Sequence, residues 1–212
     1  MSEVAKLQYP RQRIILVCDI EGSTSRTNTE KATVRADMYE LFVAALLDCR
    51  ITDDLREPLI NTGDGLIALV RPVDGVPKTM LLHTFVPRLS DILAGHADVH
   101  PHRKFRLRVA MHSGDVHFDQ QGAFGEDLDL AFRLLNSPEL KARLAQTAAP
   151  LVLAVSDHIH RSVIRHGYDG IDGRTFDPLI RVEMADQRHI GWVQVPAESV
   201  GHRGLARIDR VS

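Results

Sequence analysis

The sequence predicts an α+β fold, a ferredoxin-like βαββαβ core with additional C-terminal strands and helices. Three observations predict it. A β-branched run, RIILVCD (13–19), precedes a long stretch with helical apolar spacing. Two short apolar runs then surround Thr62-Gly63-Asp64-Gly65, and a second helical stretch leads into another alternating segment. In that order the first strand is central, its neighbouring hairpin lies beside it, and both helices cover one face.

Each element has its own signal. RIILVCD is apolar, β-branched and of strand length. From Thr27 to Arg50 the positions Val34, Met38, Leu41, Phe42, Ala45 and Leu46 recur at helical spacing, with Thr27 or Asn28 as cap and Glu30 in the first turn. EPLINTGDGLIALV (57–70) reads as a hairpin turning at Thr-Gly-Asp-Gly. VPKTMLLHTFVPRLSDILAGHA (76–97) is a second helix, kinked or interrupted near Pro87. FRLRVAMHSGDVHFD (105–119) alternates and is expected to form a second hairpin turning at Ser113-Gly114-Asp115. GEDLDLAFRLLNSPELKARLAQT (125–147) opens with acids suited to a helix N-terminus and is divided at Ser137-Pro138. LVLAVS (151–156) is a strand followed by a helix through Ile164, and LIRVEM (179–184) with HIGWVQV (189–195) makes a final strand pair. No repeat or low-complexity linker divides the chain. One domain over 13–196 is expected, between an N-terminal extension (1–12) and a polar tail (197–212).

Bulk properties exclude several classes. The chain has 212 residues, 44% apolar, with 26 basic and 28 acidic residues, so charge gives no case for nucleic acid or an anionic membrane. The N-terminus, MSEVAKLQYPRQR, lacks a signal-peptide core, and no run approaches a membrane span. A cytoplasmic location is expected. Cys18 lies within the first strand and reads as a buried free thiol.

The first strand ends on Asp19, at once followed by Glu21, Gly22, Ser23 and Thr24. An aspartate there is ordinarily a turn-former. In a ferredoxin-like sheet, however, the end of strand one and the Thr62–Gly65 turn meet at one edge. Asp19 and Asp64 would then repel unless something positive lies between them. Hard oxygen ligands favour a divalent ion, Mg2+ or Mn2+, and removing either carboxylate is expected to relieve the repulsion in the metal-free chain.

VCDIEGST, NTGDG and RVAMHSGDV…GEDLDLAFR, in this order and spacing, resemble the class III nucleotidyl (adenylate/guanylate) cyclase catalytic domain over roughly residues 13–135. The resemblance implies that Asp19 and Asp64 hold two metal ions, with the Ile20 carbonyl assisting. It implies a triphosphate loop at Gly22, Ser23 and Thr24, where successive amides face an anion. It assigns Arg133 to charge at the reacting phosphorus. It also implies a homodimer whose sites draw metals from one protomer and the arginine from the other.

The departures fall on base recognition. Where family adenylyl cyclases carry a lysine, four residues before the second metal aspartate, this chain has Ile60. Where they carry an aspartate, three residues before the helix-opening glycine, it has Gly122. The ribose-facing asparagine, four before Arg133, is Asp129, which could accept a ribose hydroxyl or tie up Arg133 as an i,i+4 pair. The expected function is therefore a cyclase, a phosphorus–oxygen lyase that converts a nucleoside triphosphate to a 3′,5′-cyclic nucleotide and pyrophosphate. The alternative is a catalytically weak or inactive domain that binds Mg-nucleotide as a regulatory or interaction module. An Asp129–Arg133 lock favours the second, and a free Arg133 the first.

The other candidates read as structure. His100 and His102 lie in a polar connector, and His112 precedes a glycine where the family also has histidine. Asp157 and His158 begin a helix, RHGYDGIDGR (165–174) lacks calcium-loop spacing, and Trp192 packs in the core. Arg181 or Arg188 could supply the phosphate-touching cation that cyclases place near the final strand pair.

Overall fold

The computed structural model describes residues 9–168 and 170–196; the expected tail and residues 1–8 of the expected extension lie outside them. The strands are β1 (Arg11–Ile20), β2 (Ile60–Asn61), β3 (Gly65–Val70), β4 (Leu107–Phe118), β5 (Ala123–Phe124), β6 (Leu151–Ser156), β7 (Asp177–Met184) and β8 (Gln187–Gln194). Seven lie in the order β2-β3-β1-β4-β6-β8-β7, and β5 pairs with β4. The β2-β3-β1-β4 half is antiparallel, as a ferredoxin-like core requires. β6 then runs parallel to β4, and β8 and β7 continue antiparallel.

β1 is central and buried on both faces, which explains its unbroken apolar run. Its period of two sends Ile14, Leu16, Cys18 and Ile20 to one core, and Ile15 and Val17 to the other. The first core is covered by α1 (Asn28–Asp48) and α3 (Val86–Val99), and the second by α4 (Glu126–Asn136) and α5 (Pro138–Ala145). Cys18 and Cys49 are free and buried, and burial pushes the Cys18 thiol up to about 12.

Local chemistry sets the helix ends. Thr27 caps α1 in a reciprocal capping box with Glu30, which satisfies two backbone amides at the helix start. The expected interruption near Pro87 is real: α2 (Lys78–Met80) runs into a widened π-type stretch over Leu81–Phe85 before α3. Pro87 has no N–H to offer the carbonyl four residues earlier, and that carbonyl lies in the widened stretch. Ser137 caps α5 and Pro138 is its first residue, so the Ser-Pro step divides the two helices. α6 (Asp157–Ser162) follows β6 directly and is capped by Ser156.

One expectation is corrected. Residues 113–115 do not turn, because β4 runs unbroken from Leu107 to Phe118 and pairs with β1 through Ser113, Gly114 and Asp115. The chain reverses later, where the Asp119 side chain accepts from the Gln121 and Gly122 amides and the Asp119 amide donates to the Gly122 carbonyl. Gly114 has a tertiary cause. A Cβ there would lie 2.1 Å from the Asp127 carboxylate.

Candidate active site

Asp19 is the penultimate residue of β1, in register with Gly65 of β3 and Arg108 of β4. The turn between β2 and β3 docks on it through the backbone: the Ile20 amide donates to the Asp64 carbonyl at 3.0 Å. Two features hold that turn. Gly63 adopts a positive φ of 94° and its amide donates to the Asn61 side chain. At Gly65 a Cβ would lie 2.0 Å from the Cys18 carbonyl oxygen, so only glycine lets β3 approach β1 here. Asp19 and Asp64 are thus brought together, and Asp64 adds repulsion to the Asp19 carboxylate.

Asp19 is 9% exposed and accepts two hydrogen bonds from Arg108, at 2.9 Å from Nε and 2.7 Å from Nη2. Its pKa is nevertheless raised: burial outweighs the Arg108 hydrogen bonds and charge, and the charge of Lys141 on α5. One guanidinium therefore leaves the pair of carboxylates short of positive charge. Hard oxygen donors in such surroundings fit a divalent cation. Among the described residues no group of three or more His, Cys, Asp or Glu side chains is arranged as a metal cluster, so any such ion would rest on these two carboxylates and backbone oxygen.

After β1 the chain turns at Gly22, φ 64°, into a single helical turn over Ser23–Ser25. The Ser25 and Arg26 amides close onto the Gly22 and Ser23 carbonyls, so the amides of Gly22, Ser23 and Thr24 lie outside the hydrogen bonds this loop makes to itself. Glu21 is fixed by Arg106 through bonds of 2.8 and 2.7 Å, and Arg106 also donates to the Leu144 and Thr147 carbonyls behind α5. Arg106 and Arg108 are residues the sequence reading missed. Their signal was present: Arg108 within β4 and Arg106 just before it match Asp19 within β1 and Glu21 just after it, and Arg108 stands in register with Asp19, which is the pattern of facing pairs on a sheet.

Arg133 and Asp129 lie exposed on α4, and no ion pair joins them or links either to another described residue. The i,i+4 lock is absent. Arg133 faces a cleft of about 440 Å3 whose other wall is the β7–β8 hairpin, Glu183 to Arg188. Arg188 shares a cleft with Arg133 and pairs with Glu183 at 3.3 Å on the exposed hairpin, and Arg181 donates to the Pro178 and Ile180 carbonyls on β7. With Asp129, Phe132 and Asn136, Arg133 also borders an adjoining open cleft of about 410 Å3. Neither cleft includes Asp19 or Asp64. β8 and β7 stand three and four strands from β1, roughly 14–19 Å away at ordinary sheet spacing.

The two positions that the resemblance assigns to base recognition, Ile60 and Gly122, offer no polar side chain. Ile60 is half-buried against the second core. Gly122 is exposed in the β4–β5 turn at a φ of 137°, its amide donating to Asp119. Among the histidines, His112 is buried between Ser156 and Asp127. Trp192 is partly buried against the first core, stacks on His160 at 3.5 Å and donates to Asp157. No helix among the described residues is long and apolar enough to cross a membrane.

No protein-family model and no curated protein sequence matches the chain. Solved structures do. An adenylate/guanylate cyclase/hydrolase from Silicibacter pomeroyi matches with a TM-score of 0.59 at 19% identity, over 89% of this chain and 98% of that one. The guanylyl cyclase Cya2 matches with a TM-score of 0.60 at 13% identity, over 94% and 100%. A non-canonical dimeric guanylyl cyclase domain of the RhoGC fusion protein from the aquatic fungus Blastocladiella emersonii matches with a TM-score of 0.55 at 14% identity, over 90% and 98%. The strand order, the helices on both faces and these matches together show that the chain has the fold of a class III nucleotidyl cyclase catalytic domain.

Proposed function

We propose that the protein is a metal-dependent nucleotidyl cyclase, acting at an interface between two copies of the chain. The observation that carries this reading is the meeting of Asp19, at the end of β1, with Asp64, whose turn docks on β1 through the Ile20 amide just before the Gly22–Thr24 loop. Asp19, Asp64 and the Ile20 carbonyl would hold the divalent ions. When bound, those ions acidify the ribose 3′-hydroxyl and neutralise the triphosphate. The amides of Gly22, Ser23 and Thr24 orient the phosphates. Arg133 and Arg188, from the second copy, meet the charge that develops as the 3′-oxygen bonds to the α-phosphorus and pyrophosphate leaves. Asp129 is free to accept a ribose hydroxyl.

The Asp19–Arg108 pair favours a second reading, in which the domain binds nucleotide without turning it over. An unpaired Arg133 favours turnover, and that weighs more, because Arg108 can release Asp19 to a competing cation whereas a locked Arg133 would lose its role. The test is incubation with ATP, GTP, CTP and UTP plus Mn2+, with products identified by mass spectrometry. A cyclic nucleotide and pyrophosphate in equal amounts are expected. Mn-nucleotide binding without product would support the binding module instead.

A further inference from the structure

Asp127 stands in the first turn of α4, and its bonds leave the helix. Oδ2 accepts from the Asp115 amide on β4 at 2.6 Å, and Oδ1 lies 2.8 Å from His112 Nε2. The other ring nitrogen of His112 lies 2.7 Å from Ser156 Oγ, which also accepts from the Ile159 amide at the start of α6. One neutral tautomer satisfies the whole chain: Nε2–H donates to the carboxylate and Nδ1 accepts from the serine hydroxyl. His112 and Ser156 are 4% and 2% exposed and Asp127 is half-buried, so this network ties β4, α4 and the β6–α6 junction together from a buried end at Ser156 to a partly exposed end at Asp127. Gly114 leaves room for the carboxylate on the strand. Gly125, at the N-cap of α4, supplies no side-chain cap, so among the described residues Asp127 is the side chain that hydrogen-bonds this end to the sheet.

We propose that Asp127 is the positioning residue for Arg133, setting the rotation and register of α4 on the sheet; this rests on the role proposed above for Arg133. The same sheet-facing side of α4 carries Leu128, Leu130, Ala131, Leu134 and Leu135. Apolar contacts of this kind are non-directional. The bonds of Asp127 are directional, and they act six residues, about 9 Å, along the helix from Arg133. Arg133 itself has no partner among the described residues to orient it. Turning α4 by about 15° moves a side chain about 6 Å from the axis by roughly 1.5 Å, and a misplacement near 1 Å can cost about 100-fold in rate.

The test compares Asp127→Ala, Asp127→Asn, Gly114→Ala and the Gly114→Ala/Asp127→Ala pair in the full chain. Amide exchange over residues 126–136 should quicken about 10-fold or more in Asp127→Ala, with β6 unchanged. With Mn2+ and nucleotide, kcat should fall about 10- to 100-fold while KM stays within about twofold. Asn keeps the acceptor for the Asp115 amide and should recover most of the loss. Gly114→Ala should mimic Asp127→Ala alone and add little to it, because the carboxylate it displaces is then gone. Unchanged exchange, unchanged kcat despite faster exchange, or Asn no better than Ala would overturn the proposal. If the wild type shows no turnover, the cyclase reading fails separately. The clamp is then judged by Mn-nucleotide affinity: it stands if Asp127→Ala weakens binding as Arg133→Ala does, and falls if binding is unchanged.

Discussion

The two oxygens of Asp19 are taken by two nitrogens of one guanidinium, that of Arg108 on the neighbouring strand, and both side chains are nearly buried. The consequence is an asymmetry between the two carboxylates. Asp64 is half-buried and repels Asp19, whereas Asp19 neutralises a cation that has little access to water.

Replacing Asp19 by alanine should therefore destabilise the metal-free chain, toward the lower end of the 3–5 kcal/mol, roughly, that breaking a buried pair costs. The relief of repulsion expected from the sequence should appear only at Asp64→Ala, as a change within about 0.5 kcal/mol of zero. Urea unfolding of both variants without divalent ions separates the two cases. Equal destabilisation would mean that Arg108 is not the partner that matters. Added Mn2+ should raise the Tm of the wild type and of neither variant.

Asp127 gives a pH prediction. The His112 hydrogen bond, foremost, and the Asp115 amide hold its carboxyl below the usual 3.8, against the pull of burial. A depressed folded value means stability that is complete above the unfolded value and lost as pH falls through the folded one. The stability difference between wild type and Asp127→Asn should be level above about pH 5 and shrink below about 3.8. A difference that grows on acidification would show that the carboxylate is not the stabilised form.

Much of this was legible locally. The Thr27–Glu30 capping box, the Ser137-Pro138 division and the glycine-rich β2–β3 turn are each determined within a few residues, and the chain obeys them. What failed was non-local. Gly114 signals a turn, as glycine usually does, yet its cause is a carboxylate thirteen residues on. Arg108 was unread because its partner is 89 positions away and only strand register reveals it. The Asp129–Arg133 question could not be settled by spacing, since i,i+4 permits a pair that exposed side chains on α4 do not make.

Arg133 lines clefts that include neither Asp19 nor Asp64, and the two-copy site proposed above therefore predicts complementation. An Asp19→Ala chain and an Arg133→Ala chain, each inactive, should regain activity when unfolded together and refolded as a mixture. If the chains pair at random, half of the dimers are mixed and hold one intact site of two, so about a quarter of wild-type activity is expected. No recovery, with a wild type that is active and dimeric, would place both residues in a site within one chain.

Base selectivity follows from Ile60 and Gly122. Reading adenine takes a donor to a ring nitrogen and an acceptor for the exocyclic amine, and neither side chain provides one. The backbone does not compensate at Gly122, because its amide is already spent on Asp119. Near Arg133 the cleft offers instead the half-buried ring of Phe132 and the exposed amide of Asn136. A ring stacks on any base, since every base has a π-face. Direct competition of the four triphosphates at equal concentration should therefore show preferences of about tenfold or less. An ATP preference of about 100-fold or more, the scale of dedicated hydrogen bonds, would mean that groups outside these positions read the base. Phe132→Ala then discriminates further: loss of affinity for all four triphosphates alike supports stacking, and loss for one alone supports directed recognition.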